Sequence, residues 1–224
     1  MTENEGSGLE EALVSSLVKP NLIELGADLA EVGLDQFLAQ GALRDIPVLG
    51  TLLELYRTVG IVRDRVFANK VVRFLAGLGE IPIEERERFL KGHEDPPEKR
   101  RLGEALVLLL DRLDDMDKPE ALSRLFGGYV RGQYDLETFR RLAAALDQVP
   151  LSALSHLERF YQEPEHVLGL QALPRPGPYH AQFVASGLVN IEFSRTGPTG
   201  GPGGRYAKNE LGELFLKVLT RPQF

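Results

Sequence analysis

Apolar residues in the first part of the chain recur every three or four positions, which is the period of an α-helix. This spacing predicts one helix on each side of Pro20, because proline lacks an amide hydrogen and its ring clashes with the preceding turn. Gly41 is the expected end of the second helix. Residues 1–8 are small and acidic, and we expect them to be disordered.

The helical period continues from Asp45 to about Leu78, with Gly60 as a point of bending or close packing. Prolines and short polar turns separate the later helical patterns, and such short connections favour antiparallel neighbours. These patterns cover residues 83–91, 98–116, 118–131, 136–148 and 151–162. A multi-helix bundle over residues 9–162 is therefore predicted.

The pattern changes in the tail. A short helical pattern over residues 179–186 ends at Gly187, and alternation over residues 189–193 predicts a strand. A loop rich in glycine and proline leads to a second strand at residues 205–208, and Asn209 opens the last helix. Helix, strand, turn, strand, helix is the order of half of a winged helix. The predicted fold class is mainly α, with the bundle followed by a winged-helix-like α+β segment over residues 163–224.

Composition narrows the classes of function. The chain has 224 residues, a formal net charge of −7 and no cysteine, which excludes thiolate metal sites and cysteine nucleophiles. Proteins dedicated to nucleic acid are usually basic, so the charge disfavours that class. Residues 1–8 contain no secretory signal, and the longest uncharged apolar run, residues 46–53, is too short to cross a bilayer. We expect a cytoplasmic protein.

A winged helix would use its short helix and its wing as a binding surface. The polar or basic residues in these places are His180, Gln182, Arg195, Arg205 and Lys208. Helices that read DNA carry Arg, Lys, Asn or Gln towards bases and phosphates, and this set is sparse and interspersed with glutamates. We expect a protein partner or self-association at this surface, with nucleic acid as the alternative.

Two segments have features of a ligand-binding site, but their residues favour a structural role. The loop over residues 196–204 lacks the lysine of a phosphate-binding loop and lies between two strands. Asp111, Asp114, Asp115 and Asp117 are a possible metal cluster, but a solvated helix end with Asp117 as the next N-cap is favoured.

The segment from Gly132 to Phe139 has the shape of half of a calcium loop. Counting from Gly132 as the sixth position, the expected ligand positions carry no carboxylate. We therefore interpret the segment as a helical hairpin in which Asp135 caps the second helix.

Catalytic motifs are not found in the sequence. The four histidines do not form a pair with metal-ligand spacing, and the serines lack a nucleophile-elbow motif. These histidines are His93, His156, His166 and His180. The sequence predicts no enzyme activity, cofactor, metal site or small-molecule substrate.

The segment that begins near Ile46 carries an apolar start followed by basic residues, including Arg63 and Lys70. A core helix with one solvated stripe is the favoured interpretation. A helix that contacts a membrane surface or a partner is the alternative.

Several segments resemble bacterial proteins known only as an uncharacterised helical family. They are residues 41–50, 61–67 with Lys70, 110–115, 125–129 and the tail after Gly187. The order of helical body, Gly-Leu, strand, turn, strand and Leu-Gly helix is also similar to that of abortive-infection (Abi-alpha) proteins of phage defence. This resemblance implies a bacterial antiviral role and carries no catalytic motif.

Three functions follow as expectations. The first is a non-catalytic bacterial interaction or regulatory protein, in phage defence if the resemblance holds. The alternatives are a winged-helix DNA-binding regulator and a membrane-acting effector that uses the helix starting near Ile46.

Overall fold

In the computed structural model, the chain divides into two compact units, Met1–Gln133 and Tyr134–Phe224, named the N-terminal and C-terminal units below. The structure describes residues 3–20, 22–25, 46–59, 62–93, 95–163, 179–194 and 203–220. These residues are mainly helical, with one two-stranded antiparallel sheet near the C-terminus, as the sequence predicted. The predicted domain boundary at residue 163 lies within the C-terminal unit and stays a prediction.

The described part of the N-terminal unit contains six helices. They are α1 (Glu3–Ser16), α2 (Pro47–Val59), α3 (Val62–Leu78), α4 (Ile83–Lys91), α5 (Pro96–Arg112) and α6 (Lys118–Val130). The apolar faces that the helical period predicted pack together, with α1 against α2 and α5, and α3 against α6.

Some boundaries in this unit differ from the pattern. Helix α1 begins at Glu3, inside the segment expected to be disordered. Helix α5 ends at Arg112 and not, as the pattern predicted, at residue 116. Leu113, the next residue, leaves the helical conformation and buries its side chain. Most of the predicted second helix, its end at Gly41, and Gly60 lie outside the described residues.

Two close contacts hold α1 in place. At Gly103 of α5, a Cβ atom would lie 2.5 Å from the carbonyl oxygen of Glu10, so only glycine permits this approach. Buried Arg86 of α4 donates from Nη1 to the carbonyl oxygens of Leu17 (2.6 Å) and Lys19 (2.9 Å). Burial lowers the pKa of Arg86, yet arginine remains charged at any physiological pH. Its charge therefore satisfies carbonyl groups that follow α1.

The C-terminal unit contains four helices, a short 3₁₀ turn and a hairpin in its described part. They are α7 (Leu136–Gln148), the 3₁₀ turn (Leu151–Ala153), α8 (Leu154–Gln162), α9 (His180–Ala185), β1 (Asn190–Ser194), β2 (Gly203–Ala207) and α10 (Glu210–Thr220). Helix α10 packs against α7 and α8, and its buried face includes Phe215.

The predicted N-cap of α7 is confirmed. The Asp135 Oδ1 atom accepts a hydrogen bond from the Thr138 amide at 2.8 Å, and this bond lowers the pKa of Asp135. Gly132, with a φ of 67°, follows the end of α6, where a left-handed residue is expected.

Candidate interaction surface

The position of the hairpin is set by the turn that ends α9. Gly187 has a φ of 76°, a left-handed conformation that glycine adopts without a steric penalty. The next amide, of Leu188, donates to the carbonyl oxygen of Phe183 at 2.9 Å and closes the helix end. Since Leu188 and Val189 are buried, the chain enters β1 directly from the core.

Tyr161 of α8 joins this turn to the start of α10. Its hydroxyl group donates to the Leu188 carbonyl oxygen at 2.5 Å and accepts from the Asn209 amide at 3.1 Å. Burial raises the pKa of Tyr161, which keeps the hydroxyl group protonated and able to donate. Gly212 lies directly beside this hydroxyl group, where any Cβ atom would overlap it. The tyrosine therefore aligns α8, β1 and α10.

The Asn209 side chain completes the same arrangement. Its Oδ1 atom accepts from the Gly212 amide at 2.8 Å, which makes Asn209 the N-cap of α10. Its Nδ2 atom donates to the Gly187 carbonyl oxygen and to Asn190 Oδ1, both at 3.0 Å. One side chain thus connects α10 to both ends of the turn before β1.

Burial decreases along one face of β1. Successive side chains of a strand alternate between its two faces, so Ile191 and Phe193 share a face of β1. Val189, just before the strand, is 1% exposed, Ile191 is half-buried and Phe193 is 81% exposed. Phe193 pairs with Gly204 in β2, and glycine offers no side chain to cover the phenylalanine ring. The apolar face of the hairpin therefore continues from the core into solvent.

The opposite face of the hairpin carries a cross-strand ion pair. Glu192 lies opposite Arg205 in the register, and its Oε2 atom accepts from Arg205 Nε at 2.7 Å and Nη2 at 2.6 Å. Both contacts are made to one carboxylate oxygen, and hydrogen bonds between charged groups are stronger than those between neutral groups. The Arg205 charge is thus balanced within the hairpin.

The other residues predicted for this surface have different environments. His180 packs its ring against Tyr206 of β2, with ring centroids 4.9 Å apart, and it is half-buried. Gln182 is exposed on α9. Lys208 donates from Nζ to the Glu163 carbonyl oxygen at 2.6 Å. Arg195 lies outside the described residues.

These environments leave little positive charge for a polyanion. Arg205 and Lys208 are held by intramolecular contacts, and His180 contributes mainly ring packing. The C-terminal unit contains nine acidic and nine basic residues, so its formal net charge is zero, and the −7 belongs to the N-terminal unit. A surface that binds DNA usually carries an excess of lysine and arginine.

Sequence reasoning did not single out Phe193. Its membership of an alternating strand was evident, and alternation alone would place it on the buried face with Ile191. The missing information was the register, because the pairing with Gly204 is what leaves the ring uncovered.

Three aspartate side chains of the acidic cluster before α6 contact other groups of the protein. Asp114 accepts from buried Lys118 at 2.7 Å, and this hydrogen bond lowers the pKa of Asp114. Asp117 precedes α6 as predicted, but its side chain does not cap the helix, because it pairs with Arg73 at 3.3 Å. Asp115 Oδ1 accepts from the Asp117 amide at 2.9 Å.

The described histidines also have protein partners. His93 lies 2.9 Å from the Phe89 carbonyl oxygen through Nδ1 and 3.1 Å from the Tyr129 hydroxyl group through Nε2. The His156 ring lies 5.1 Å from the Tyr179 ring, centroid to centroid, in a tilted arrangement, and His166 lies outside the described residues. In the part of the chain that the structure describes, no cluster of three or more His, Asp or Glu side chains is placed to hold a metal ion.

The apolar start of α2 faces the protein interior. Ile46, Val48, Leu49 and Leu52 are buried, and the Val48 amide donates to Ser16 Oγ at 3.1 Å. These four apolar side chains are thus covered in this structure. Among the described residues, no helix combines the length and the apolar character needed to span a bilayer.

Comparison with known proteins adds no relative to this picture. The chain matches no protein-family model, no curated protein and no solved structure.

Proposed function

We propose that the chain is a non-catalytic interaction or regulatory protein whose C-terminal unit binds a protein partner through the hairpin β1–β2. The observation that carries this proposal is Phe193, which is 81% exposed on a strand where Ile191 is half-buried and which directly follows buried Leu188 and Val189. Burying a phenylalanine side chain contributes about 1.5–3 kcal/mol, so a partner that covers it gains affinity.

Exposure of one apolar residue is ordinary on a protein surface, and Ile23, Val66 and Leu108 of the N-terminal unit are also exposed. Phe193 differs from these aliphatic residues in two ways. Its aromatic ring provides a large contact area at a low cost in side-chain entropy, as in many interface hot spots. It also extends an apolar face that Ile191 begins, on a hairpin whose first residue, Asn190, accepts a hydrogen bond from Asn209.

The resemblance to abortive-infection proteins extends the proposal to phage defence. An interaction module fits a defence protein that acts through a partner. If this holds, expression of the wild-type chain should lower the plating efficiency of a phage, and Phe193→Thr should restore it. Equal plating efficiency for the two forms would contradict a defence role for this surface.

DNA binding by a winged helix is the second candidate. The order α9, β1, β2 and α10 favours it, together with the exposed Gln182 on α9. The balanced charge of the unit and the engaged Arg205 oppose it. We expect no salt-dependent change in fluorescence anisotropy of labelled duplex DNA at low ionic strength, because counterion release requires unpaired cations. Binding that weakens steeply with salt would establish this candidate.

Photocrosslinking tests the proposed function directly. A benzoylphenylalanine residue at position 193 should cross-link to a discrete protein in cells that naturally carry the gene. The same group in place of exposed Arg141 on α7 is the matched control. A purified cross-linked protein, or a second copy of the chain, must then bind the wild-type chain in solution. Identical cross-linking patterns from both positions would contradict the proposal.

A further inference from the structure

The β1 strand has an outer edge with no neighbouring strand among the described residues, because its partner β2 lies on the other side. Asn190, Glu192 and Phe193 of β1 are exposed, whereas the described side chains of β2 are buried Tyr206, half-buried Ala207 and exposed Arg205. The free edge of a strand presents unpaired amide and carbonyl groups, and these can pair with an extended segment of another protein.

The two faces of β1 favour side chains of different polarity on an added strand. Ile191 and Phe193 form an apolar strip on one face, so residues paired with them are stabilised when they are apolar. Glu192 lies on the other face, and its side chain is 52% exposed although Arg205 contacts it from β2. A carboxylate group has several acceptor sites, so Glu192 can bind a second cation from the opposite side.

We infer that the partner binds as an extended segment that adds to β1, with a basic residue opposite Glu192 and apolar residues on either side of it. This inference rests on the proposed function, since it specifies how the hairpin surface is occupied. In such a segment, the basic residue complements the charge of Glu192, and the apolar residues on either side contact Ile191 and Phe193.

The experiment uses two fluorescein-labelled peptides of seven residues and the full chain. Valine alternates with lysine in one peptide and with glutamate in the other. The matched variant is the double exchange Glu192→Arg with Arg205→Glu, which keeps both the ion pair and the net charge but reverses the charge on β1. Any non-specific attraction of the basic peptide to an acidic protein is therefore the same in both forms.

The wild-type chain should bind the valine–lysine peptide about tenfold more tightly than the valine–glutamate peptide. The double exchange should invert this preference, because the charge opposite the central residue is reversed. N-methylation of one alternate set of peptide amides should abolish binding, whereas methylation of the other set should have little effect, since only one set faces β1.

Three results would overturn the inference: no binding of either peptide, unchanged preference after the double exchange, or equal effects of both methylation patterns. If the inference fails while position 193 still cross-links to a specific protein, the proposed function stands and only strand addition is excluded. If neither peptide nor cross-linked protein binds, both proposals fail.

Discussion

Replacing Tyr161 by phenylalanine removes one oxygen atom from the place where α8, β1 and α10 meet. The ring keeps its volume, so the change concerns hydrogen bonds and not packing. The Leu188 carbonyl oxygen loses its donor at 2.5 Å, and the Asn209 amide loses its acceptor at 3.1 Å. Two backbone groups are left without these partners next to the core.

The expected cost follows from those two groups. An unsatisfied buried donor or acceptor costs about 1–3 kcal/mol, and water can recover part of this at a half-buried position. We therefore expect Tyr161→Phe to lower the unfolding free energy of the C-terminal unit by about 2–3 kcal/mol. For a unit of this size, the midpoint of thermal unfolding falls by roughly 4–8 °C per kcal/mol.

The assay combines thermal unfolding by circular dichroism with hydrogen exchange, since the chain has no tryptophan for fluorescence. Exchange of the Asn209 and Gly212 amides should accelerate in the variant, because both belong to the start of α10. Tyr179→Phe is the control, since its hydroxyl group makes no hydrogen bond within the described residues. Equal midpoints and equal exchange for the two variants would refute the reasoning.

Three further changes have defined outcomes. Burial raises the pKa of Tyr161, so its contribution to stability is full below about pH 10, the ordinary tyrosine value, and is lost as the pH rises further. The wild-type advantage over Tyr161→Phe in unfolding midpoint should therefore be constant below about pH 9 and shrink above about pH 10. Gly212→Ala places a Cβ atom 2.2 Å from a backbone carbonyl oxygen and should cost at least about 2–3 kcal/mol in urea unfolding, whereas Gly8→Ala in α1, with nothing within 4 Å, should add roughly 0.5–1 kcal/mol. A tolerated Gly212→Ala would contradict this packing. Asp114→Asn should lower the unfolding free energy by up to about 1 kcal/mol at neutral pH, because the Lys118 hydrogen bond lowers the Asp114 pKa. This difference in unfolding free energy should vanish as acid protonates Asp114 in the wild-type chain. A difference that does not depend on pH would exclude the ion pair as its cause.

Local signals in the sequence were sufficient for much of the fold. The helical period located α4 and α7 to the residue, because proline and polar turns mark their ends. Asp135 was recognisable as an N-cap, since capping depends on residues within one turn. The order of elements in the tail followed from a change of period from helix to strand, whereas the winged-helix assignment stays a prediction.

Long-range partners were not predictable from local patterns. Nothing near Tyr161 indicates that its hydroxyl group contacts residues 27 and 48 positions further along the chain. Asp117 looked like a helix cap, but Arg73, 44 positions earlier in the chain, competes for its side chain. The predicted surface residues Arg205 and Lys208 likewise acquire intramolecular partners only when the chain is folded. The folded arrangement of the side chains, and not residue type alone, determines which polar groups remain available to a binding partner.

The most direct test of the hairpin as a binding surface is the affinity of the cross-linked protein for Phe193→Thr, measured by isothermal titration. Threonine favours strands, and Phe193 is exposed, so the unfolding midpoint should be nearly unchanged. We predict that Kd increases by about ten- to a hundredfold, as loss of a buried phenylalanine implies, while Arg141→Ala leaves Kd unchanged. An unaltered Kd for Phe193→Thr would contradict the central claim.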